Sequence, residues 1–515
     1  MEDIQNNSSA HMGCFRFLLR EEILFDGLAL HDPLTGNTHR LSECGRVILG
    51  VLHSGPTAEE VIYEITRNGQ FDRAVVGREI RQIMLLGLFE GTCVDIRARF
   101  GRIRRGEIAA ARALSDSRFR CQGSGECCRG YVFGPISKEE KSRIEALNPR
   151  QALPQLGNKQ LFEAMGAGSG SRGYKLATTS GACVFLEAGL RCGLHRAFGA
   201  DAKPALCQLY PLAAAATIDG LKVYDRGECA TFAVSAQQGT FLADELPKIR
   251  ALADRDLYHP AVRLYRSWTC DYGLVLALAD RLDSDVRPSP PLQALHDIGH
   301  VVRGFILALT SCPLEEGQPE SAASQALARP AGELRPSAAA VATNARSGLG
   351  KLATLATALA ERAAPTERHT PLFVQATSLL AEICEYVLHG RPLSPSGDRA
   401  LAIATEADTD RALALSLRHQ VFGRDLLLDG SLPAGLLRMA LVVVVSLAGS
   451  RILAREERAA IVTPRQLSLS HMIVKRTLNR PEPLRLLRAN GQQAWPVLDS
   501  LPLLAPALIG RPGAR

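Results

Sequence analysis

Seven of the thirteen cysteines in this 515-residue chain fall between Cys121 and Cys229, where even spacing would put about three. They are Cys121, Cys127, Cys128, Cys183, Cys192, Cys207 and Cys229. Thiols crowd for three reasons: disulfides, core packing or metal ligation. The opening residues MEDIQNNSSAHMG lack the apolar stretch of a signal peptide, which points to a cytoplasmic protein, where thiols stay reduced. Core packing does not place thiols beside Gly-rich turns such as Gln122–Glu126. Metal ligation remains, because a soft cation or cluster draws several thiolates to one point. Gly123 and Gly125 let the backbone fold tightly and aim N–H groups at sulfur. Adjacent side chains on extended backbone point in opposite directions. Cys127 and Cys128 therefore share one metal only if the chain turns sharply, as Gly130 would permit. Seven thiols exceed the four that one cubane needs, so some serve a second metal or a structural purpose. The other six cysteines (Cys14, Cys44, Cys93, Cys270, Cys312 and Cys384) stand singly in apolar surroundings and read as small buried hydrophobes.

The length implies two to four domains. A net charge of +7 is mild for such a chain. The one dense basic run, Arg97, Arg99, Arg102, Arg104 and Arg105, has only Phe100 among it. It lacks the stacking aromatics of a nucleic-acid surface and reads as a solvated helix face or linker, or as a surface steering an acidic peptide. The longest uncharged apolar run, Met439–Ser450, falls short of the ~20 residues of a membrane span and reads as a buried helix, so no membrane span is expected. In residues 14–98, Asp26-Gly27 between Ile23–Phe25 and Leu28–Leu30 signals a hairpin. Ser42 and Thr57 are helix N-caps, and a third helix carries Val75, Val76, Ile80, Ile83 and Met84 before Gly87. Residues 106–118 and Lys159–Met165 read as helical. Helix dominates from 240 to 515, broken by a Pro/Ala/Ser/Gly-rich flexible linker at about 313–349.

Two resemblances attach to these patterns. Asp32-Pro33, Gly36, His39–Glu43, Gly55, Thr57–Val61 and Leu86-Gly87-Leu88 resemble the PqqD-like peptide-binding domain, or RiPP recognition element. That resemblance implies an extended peptide adding as a strand to a sheet edge. The string Cys121-x5-Cys127-Cys128, Cys183-x-Phe185-Leu186-x5-Cys192-x2-His195 and Lys203-Pro204-x2-Cys207-x2-Tyr210-Pro211 resembles the cysteine-cluster family, also described as a zinc- or iron-chelating domain. Within that family the chain is most similar to flagellin lysine-N-methylase-like proteins, through Arg418–Phe422, Leu441–Leu453 and, more weakly, Ser470-His471. It departs from the pattern in lacking a cysteine between Cys121 and Cys127, in Lys203-Pro204 where Arg-Pro is usual, and in a longer interval across Arg196–Ala202.

The fold expected is multidomain and mainly α. It comprises a small α+β winged-helix-like domain at 14–98, an irregular cysteine-rich metal domain at 106–236, and an all-α region at 240–515. The resemblance implies an iron–sulfur cluster (4Fe-4S), with zinc the alternative, and methyl transfer from S-adenosylmethionine to a lysine of a peptide or protein substrate, such as a precursor peptide or a flagellin-like protein. Lysine must lose its proton to attack, and Glu126, Glu187, Asp225 and Glu228 are candidate bases, each also readable as a surface carboxylate. His195 is a ligand, a proton shuttle or a structural histidine. Gly166–Gly170 is Gly-rich but reads as a mobile loop, and the C-x3-C-x2-C string of radical enzymes is absent. The competing reading is a non-catalytic metal-binding or scaffolding protein whose zinc or cluster is structural.

Overall fold

A computed structural model describes residues 16–33, 37–52, 55–89, 105, 107, 111–129, 133–165, 173–217, 220–252, 262–286, 290–314, 319–334, 337–363, 370–405, 407–423, 426 and 430–509. Helix predominates, with a few small sheets. The chain divides into two compact units rather than three consecutive domains.

The first unit comprises Met1–Glu107, Tyr258–Leu278 and Val301–Leu334. Strands β1 (Leu24–Phe25), β2 (Ala29–Asp32) and β3 (Asn37–Arg40) form an antiparallel sheet in sequence order. Asp26 fixes the first turn by accepting from the N–H groups of Leu28 and Ala29 at 2.9 and 2.7 Å. Helix α1 (Glu43–Val51) is capped by Ser42, α2 (Ala58–Thr66) by a Thr57/Glu60 capping box and α3 (Arg73–Leu85) by Asp72. Their apolar faces (Ile48, Val61, Ile62, Ile80 and Ile83 among them) close on Phe17, Leu30 and Phe89. Each such side chain stabilises the unit by about 1.5–3 kcal/mol on burial.

Two segments from the expected C-terminal helical region complete this unit. The antiparallel hairpin Val262–Tyr265/Trp268–Cys270 docks on the end of α3. Gln82 donates to the carbonyl of Thr269 at 2.7 Å and accepts from its N–H at 3.0 Å, and Asp271 N–H donates to Leu85 O at 2.7 Å. Arg81 donates to Cys312 O at 2.7 Å, while Cys312 and Leu314 lie in the apolar core. The linker expected at 313–349 is largely helical, with Pro319–Ala328 and the first half of Ala338–Arg362 inside it. Its prolines do not oppose this. Pro319 opens its helix, where a missing N–H costs nothing, and alanine is the strongest helix former.

The second unit comprises Ile108–Leu257, Ala279–His300 and Arg335–Arg515. Its cysteine-bearing part is built on short strands. Leu212–Thr217 and Gly220–Asp225 form a hairpin, and Ala111–Ala113 lies parallel to the second strand, with Leu221 opposite Ala111. Arg118–Phe119 pairs with Thr240–Phe241. The stretch expected as helix at 106–118 is not helical where described: Ala111–Ala113 and Arg118 are strand with a turn between them, because pairing with distant strands overrides weak local propensity. Lys159–Met165 is corrected likewise: Phe162–Ala164 pairs antiparallel with Tyr174–Leu176. The glycines at 166–170, Gly130, Cys14, Cys93 and Arg97–Arg104 lie outside the described residues.

The rest of the unit is a helical assembly around Leu432–Glu456, with Ala338–Arg362, Thr370–His389, Pro464–Leu478 and Ala494–Ile509 among its helices. Met439–Ser450 is buried, as expected, but belongs to a 25-residue helix. That helix and Thr370–His389 are long and apolar enough to cross a bilayer, yet the apolar window of the longer one is wholly buried inside the protein. That is how the core helix of a folded domain behaves, and no firm membrane span is established.

Candidate metal centre and its buried polar surroundings

The cysteine site starts from one turn. Gly125 adopts φ +67°, and a Cβ there would come within 2.8 Å of Leu190 O and Leu190 Cβ, so only glycine fits without displacing that loop. The turn leads into a single 3-10 turn, Glu126–Cys128, closed by Cys128 N–H donating to Gly125 O at 3.0 Å. Gly125 provides a sharp bend ahead of the adjacent Cys127 and Cys128, while Gly130 lies outside the described residues.

Backbone pairing then gathers the other thiols. Arg129, next to Cys128, bridges Ala182, next to Cys183. Leu186 N–H donates to Cys183 O at 2.9 Å, and Leu186 in turn bridges Cys192, which precedes the helix Gly193–Phe198. Cys207 sits on the short helix Ala205–Leu209, whose carbonyl at Cys207 accepts from Lys203 Nζ at 3.1 Å. Cys183 belongs to one small apolar core with Phe133, Phe162 and Phe185, and Cys128, Cys192 and Cys207 all pack against it. Cys229 is buried before the helix Phe232–Gln238, with its sulfur 3.3 Å from Thr231 Oγ1. Cys121 is exposed. By contrast, Cys44 and Cys384 are plain core thiols whose pKa values burial pushes to about 11 and about 12, and burial also raises that of Cys270 well above its ordinary value.

Arg476, on the helix Pro464–Leu478, ties these pieces together. Its guanidinium donates to Glu126 O (3.2 Å) and Arg129 O (3.3 Å), which flank the Cys127-Cys128 turn. It also donates to Tyr210 Oη (3.1 Å) and to Glu228 O (3.3 Å), beside Cys229. Tyr210 Oη itself donates to Glu228 O at 2.5 Å. One planar donor fork thus sets the spacing of three cysteine-bearing segments. Replacing Arg476 by methionine is expected to destabilise the protein by about 2–3 kcal/mol, since hydrogen bonds from a charged donor are lost and carbonyls are left unsatisfied. Arg476→Lys, which lacks the fork, should recover less than half of it. Urea denaturation measures both, and a loss under about 0.5 kcal/mol for the methionine variant would refute the bracing role.

The turn after Gly220–Asp225 is enclosed by buried polar groups. Asp225 is fully buried, and desolvation raises its pKa to about 6 against the pull of the Gly227 N–H, which donates to it at 2.7 Å, and of Lys475. Asp225 N–H donates to His419 Nδ1 at 3.2 Å, so the His419 proton resides on Nε2, 3.0 Å from Ser117 Oγ. Burial lowers the His419 pKa to about 3. His471 lies between Ser416 Oγ (2.8 Å) and Ser446 Oγ (3.2 Å), and burial holds it neutral too. Of the other candidate bases, Glu228 accepts from Asn479 at 2.8 Å. Glu187 is committed to a bidentate pair with Arg196, which lowers its pKa. Glu126 enters through its backbone carbonyl, an acceptor for Arg476. His195 is exposed on its helix, its pKa lowered by partial desolvation and then by Lys203 and Lys248.

Several thiols on one small core are donors of the kind a soft metal ion or cluster takes. Among the described residues, one group of three ligand atoms lies within 4.8 Å of one another: His296, His300 and Asp499, elsewhere in the unit. Arg476 carries no sequence signal, because its role depends on a helix over 250 residues beyond the cysteine turn. His296 and His300, four apart on one helix, carry a weak one. No protein-family model, no curated protein and no solved structure matches the chain.

Proposed function

We propose that the second unit holds a thiolate-ligated metal centre of iron–sulfur type, and that the chain is a metal-dependent enzyme modifying a peptide or protein. The observation that carries this reading is the gathering of Cys128, Cys183, Cys192 and Cys207 on one small core, with Cys127 in the same turn as Cys128. Two features favour modification over a purely structural centre. A groove of about 590 Å³ abuts that core at Leu161 and Phe162, flanked by Lys141, Glu145 and Arg150, and offers a substrate somewhere to lie. In the first unit, edge strand β1 exposes Leu24 and Phe25, with Leu28 exposed beside it, as strand addition by a peptide requires. Joining a peptide-holding domain to a modifying domain raises the substrate's local concentration.

The resemblance to lysine N-methylases extends the reading to methyl transfer from S-adenosylmethionine to a lysine amine. Asp225, whose pKa burial raises to about 6 so that it is ionised at neutral pH, is then the carboxylate assigned to receive the amine proton. Anaerobic purification with iron and sulfide quantification and a visible spectrum is the test. Broad charge-transfer absorption, lost in a Cys127→Ser/Cys128→Ser variant, is expected. A colourless protein with stoichiometric zinc would overturn the cluster and favour a structural role.

A further inference from the structure

The second unit contains another constellation with ligand chemistry, formed by groups that neither the cysteines nor Arg476 involve. His296 and His300 lie one turn apart on the helix Pro291–Thr310, and Asp499 lies on Ala494–Ile509. All three are buried, with relative exposures of 5%, 3% and 4%. Their ligand atoms lie within 4.8 Å of one another. His300 Nε2 stands 3.3 Å from His296 Nε2 and 3.6 Å from Asp499 Oδ1. The first distance permits an N–H···N hydrogen bond, and the second is too long for a direct one. They match donor atoms sharing an ion, since ligands ~2.1 Å from one metal stand about 3.0–3.6 Å apart at angles from right to trigonal.

The groups behind these atoms orient them. His296 Nδ1 is 3.1 Å from Leu498 O. A carbonyl only accepts, so Nδ1 carries the proton and Nε2 presents its lone pair toward His300. Asn344, on Ala338–Arg362, donates to Asp499 Oδ2 at 3.1 Å, which leaves Oδ1 to face the histidines. A carbonyl behind a histidine and an amide behind a carboxylate are the outer partners that metal sites use to fix tautomer and angle. The helices also come unusually close here. A Cβ on Gly348 would fall 1.8 Å from Pro496 O, so only glycine lets Ala338–Arg362 bring Asn344 to Asp499.

We propose that His296, His300 and Asp499 bind one divalent first-row transition ion of the zinc class, independently of the cysteine centre. Two imidazoles and one carboxylate are borderline donors that favour such an ion over calcium or magnesium. Buried where three helices meet, the ion clamps them, so its binding is folding stability.

Cobalt(II) is the probe. Metal-stripped full-length protein is titrated with Co²⁺ anaerobically, following bound metal per chain and the visible spectrum. His300→Gln and Asp499→Asn should each bind one ion fewer per chain and lose ligand-field absorption. The sulfur-to-metal charge-transfer absorption of the cysteine centre should be the same in both variants as in wild type. Equal stoichiometry in wild type and both folded variants would overturn the proposal. If the variants do not fold, anomalous scattering from zinc-soaked wild-type crystals decides. A peak ~2.0–2.2 Å from His296 Nε2, His300 Nε2 and Asp499 Oδ1 supports the site, and its absence at full soak refutes it. Loss of the cysteine signal in a Cys127→Ser/Cys128→Ser variant, with this ion retained, shows that the two centres stand or fall separately.

Discussion

Arg451→Met is expected to cost about 4 kcal/mol, a large part of the stability of an ordinary domain. Arg451 lies within the helix Leu432–Glu456 and is 0% exposed. Its guanidinium donates to Leu508 O from two nitrogens, at 3.1 and 2.6 Å, and to Ile403 O at 2.8 Å and Leu401 O at 3.1 Å. These carbonyls lie at or just beyond the C-terminal turns of Ala494–Ile509 and Pro395–Leu401, where a helix leaves acceptors unpaired and its dipole favours a cation. Burial lowers the pKa to about 10, so the side chain stays charged at neutral pH. Methionine replaces the aliphatic stem, so the loss reports mainly the guanidinium. Each stranded buried acceptor costs about 1–3 kcal/mol. Lysine keeps the charge but cannot reach both helix ends, and should recover less than half. Equilibrium urea unfolding reads both, and a methionine variant within about 1 kcal/mol of wild type would dismiss this account.

Acidification should be almost as damaging. His419 is held to a pKa of about 3 and His471 well below its ordinary value, chiefly by burial. Unfolded, each takes a proton near pH 6.5. Their stability contribution is therefore complete above that pH and falls as pH drops toward the folded values, by about 1.4 kcal/mol per unit for each histidine. Asp225 works in the opposite direction. With its folded pKa raised to about 6, the folded state takes up a proton that the unfolded chain accepts only near 3.8. Of these three groups two lose where one gains, so together they should remove about 3 kcal/mol as the pH falls from 6.5 to 4.5. Urea midpoints at pH 7.5, 6.0 and 4.5 measure this, and His471→Gln should make the slope shallower. A flat profile over that range would contradict the neutral buried histidines.

Local signals were legible where the local chain decides the outcome. Ser42, Thr57 and Asp26 act through hydrogen bonds two or three residues away, and the first hairpin and the first two helices follow from them. The glycines before Cys127 and Cys128 were readable too, since a left-handed turn is a property of a few residues. What failed depended on distant partners. Ala111–Ala113 looks helical until it meets Leu221–Val223, and Pro319 looks like a linker residue until it is seen opening a helix. The candidate site divided in the same way. The cysteines could be named from their spacing, whereas Arg476, His419 and Asp499 have meaning only through contacts with residues far along the chain.

The first unit is assembled from three stretches separated by parts of the second. Cys312 and Leu314, which help close its core, are synthesised more than 200 residues after α3. On the ribosome the N-terminal unit therefore waits, incomplete, while the whole cysteine-bearing segment emerges. Its early helices spend that time as a partly open structure with apolar surface exposed, which is the condition that recruits chaperones. A fragment ending near residue 107 would be held permanently at that stage, and should be less soluble than a chain extended through residue 334.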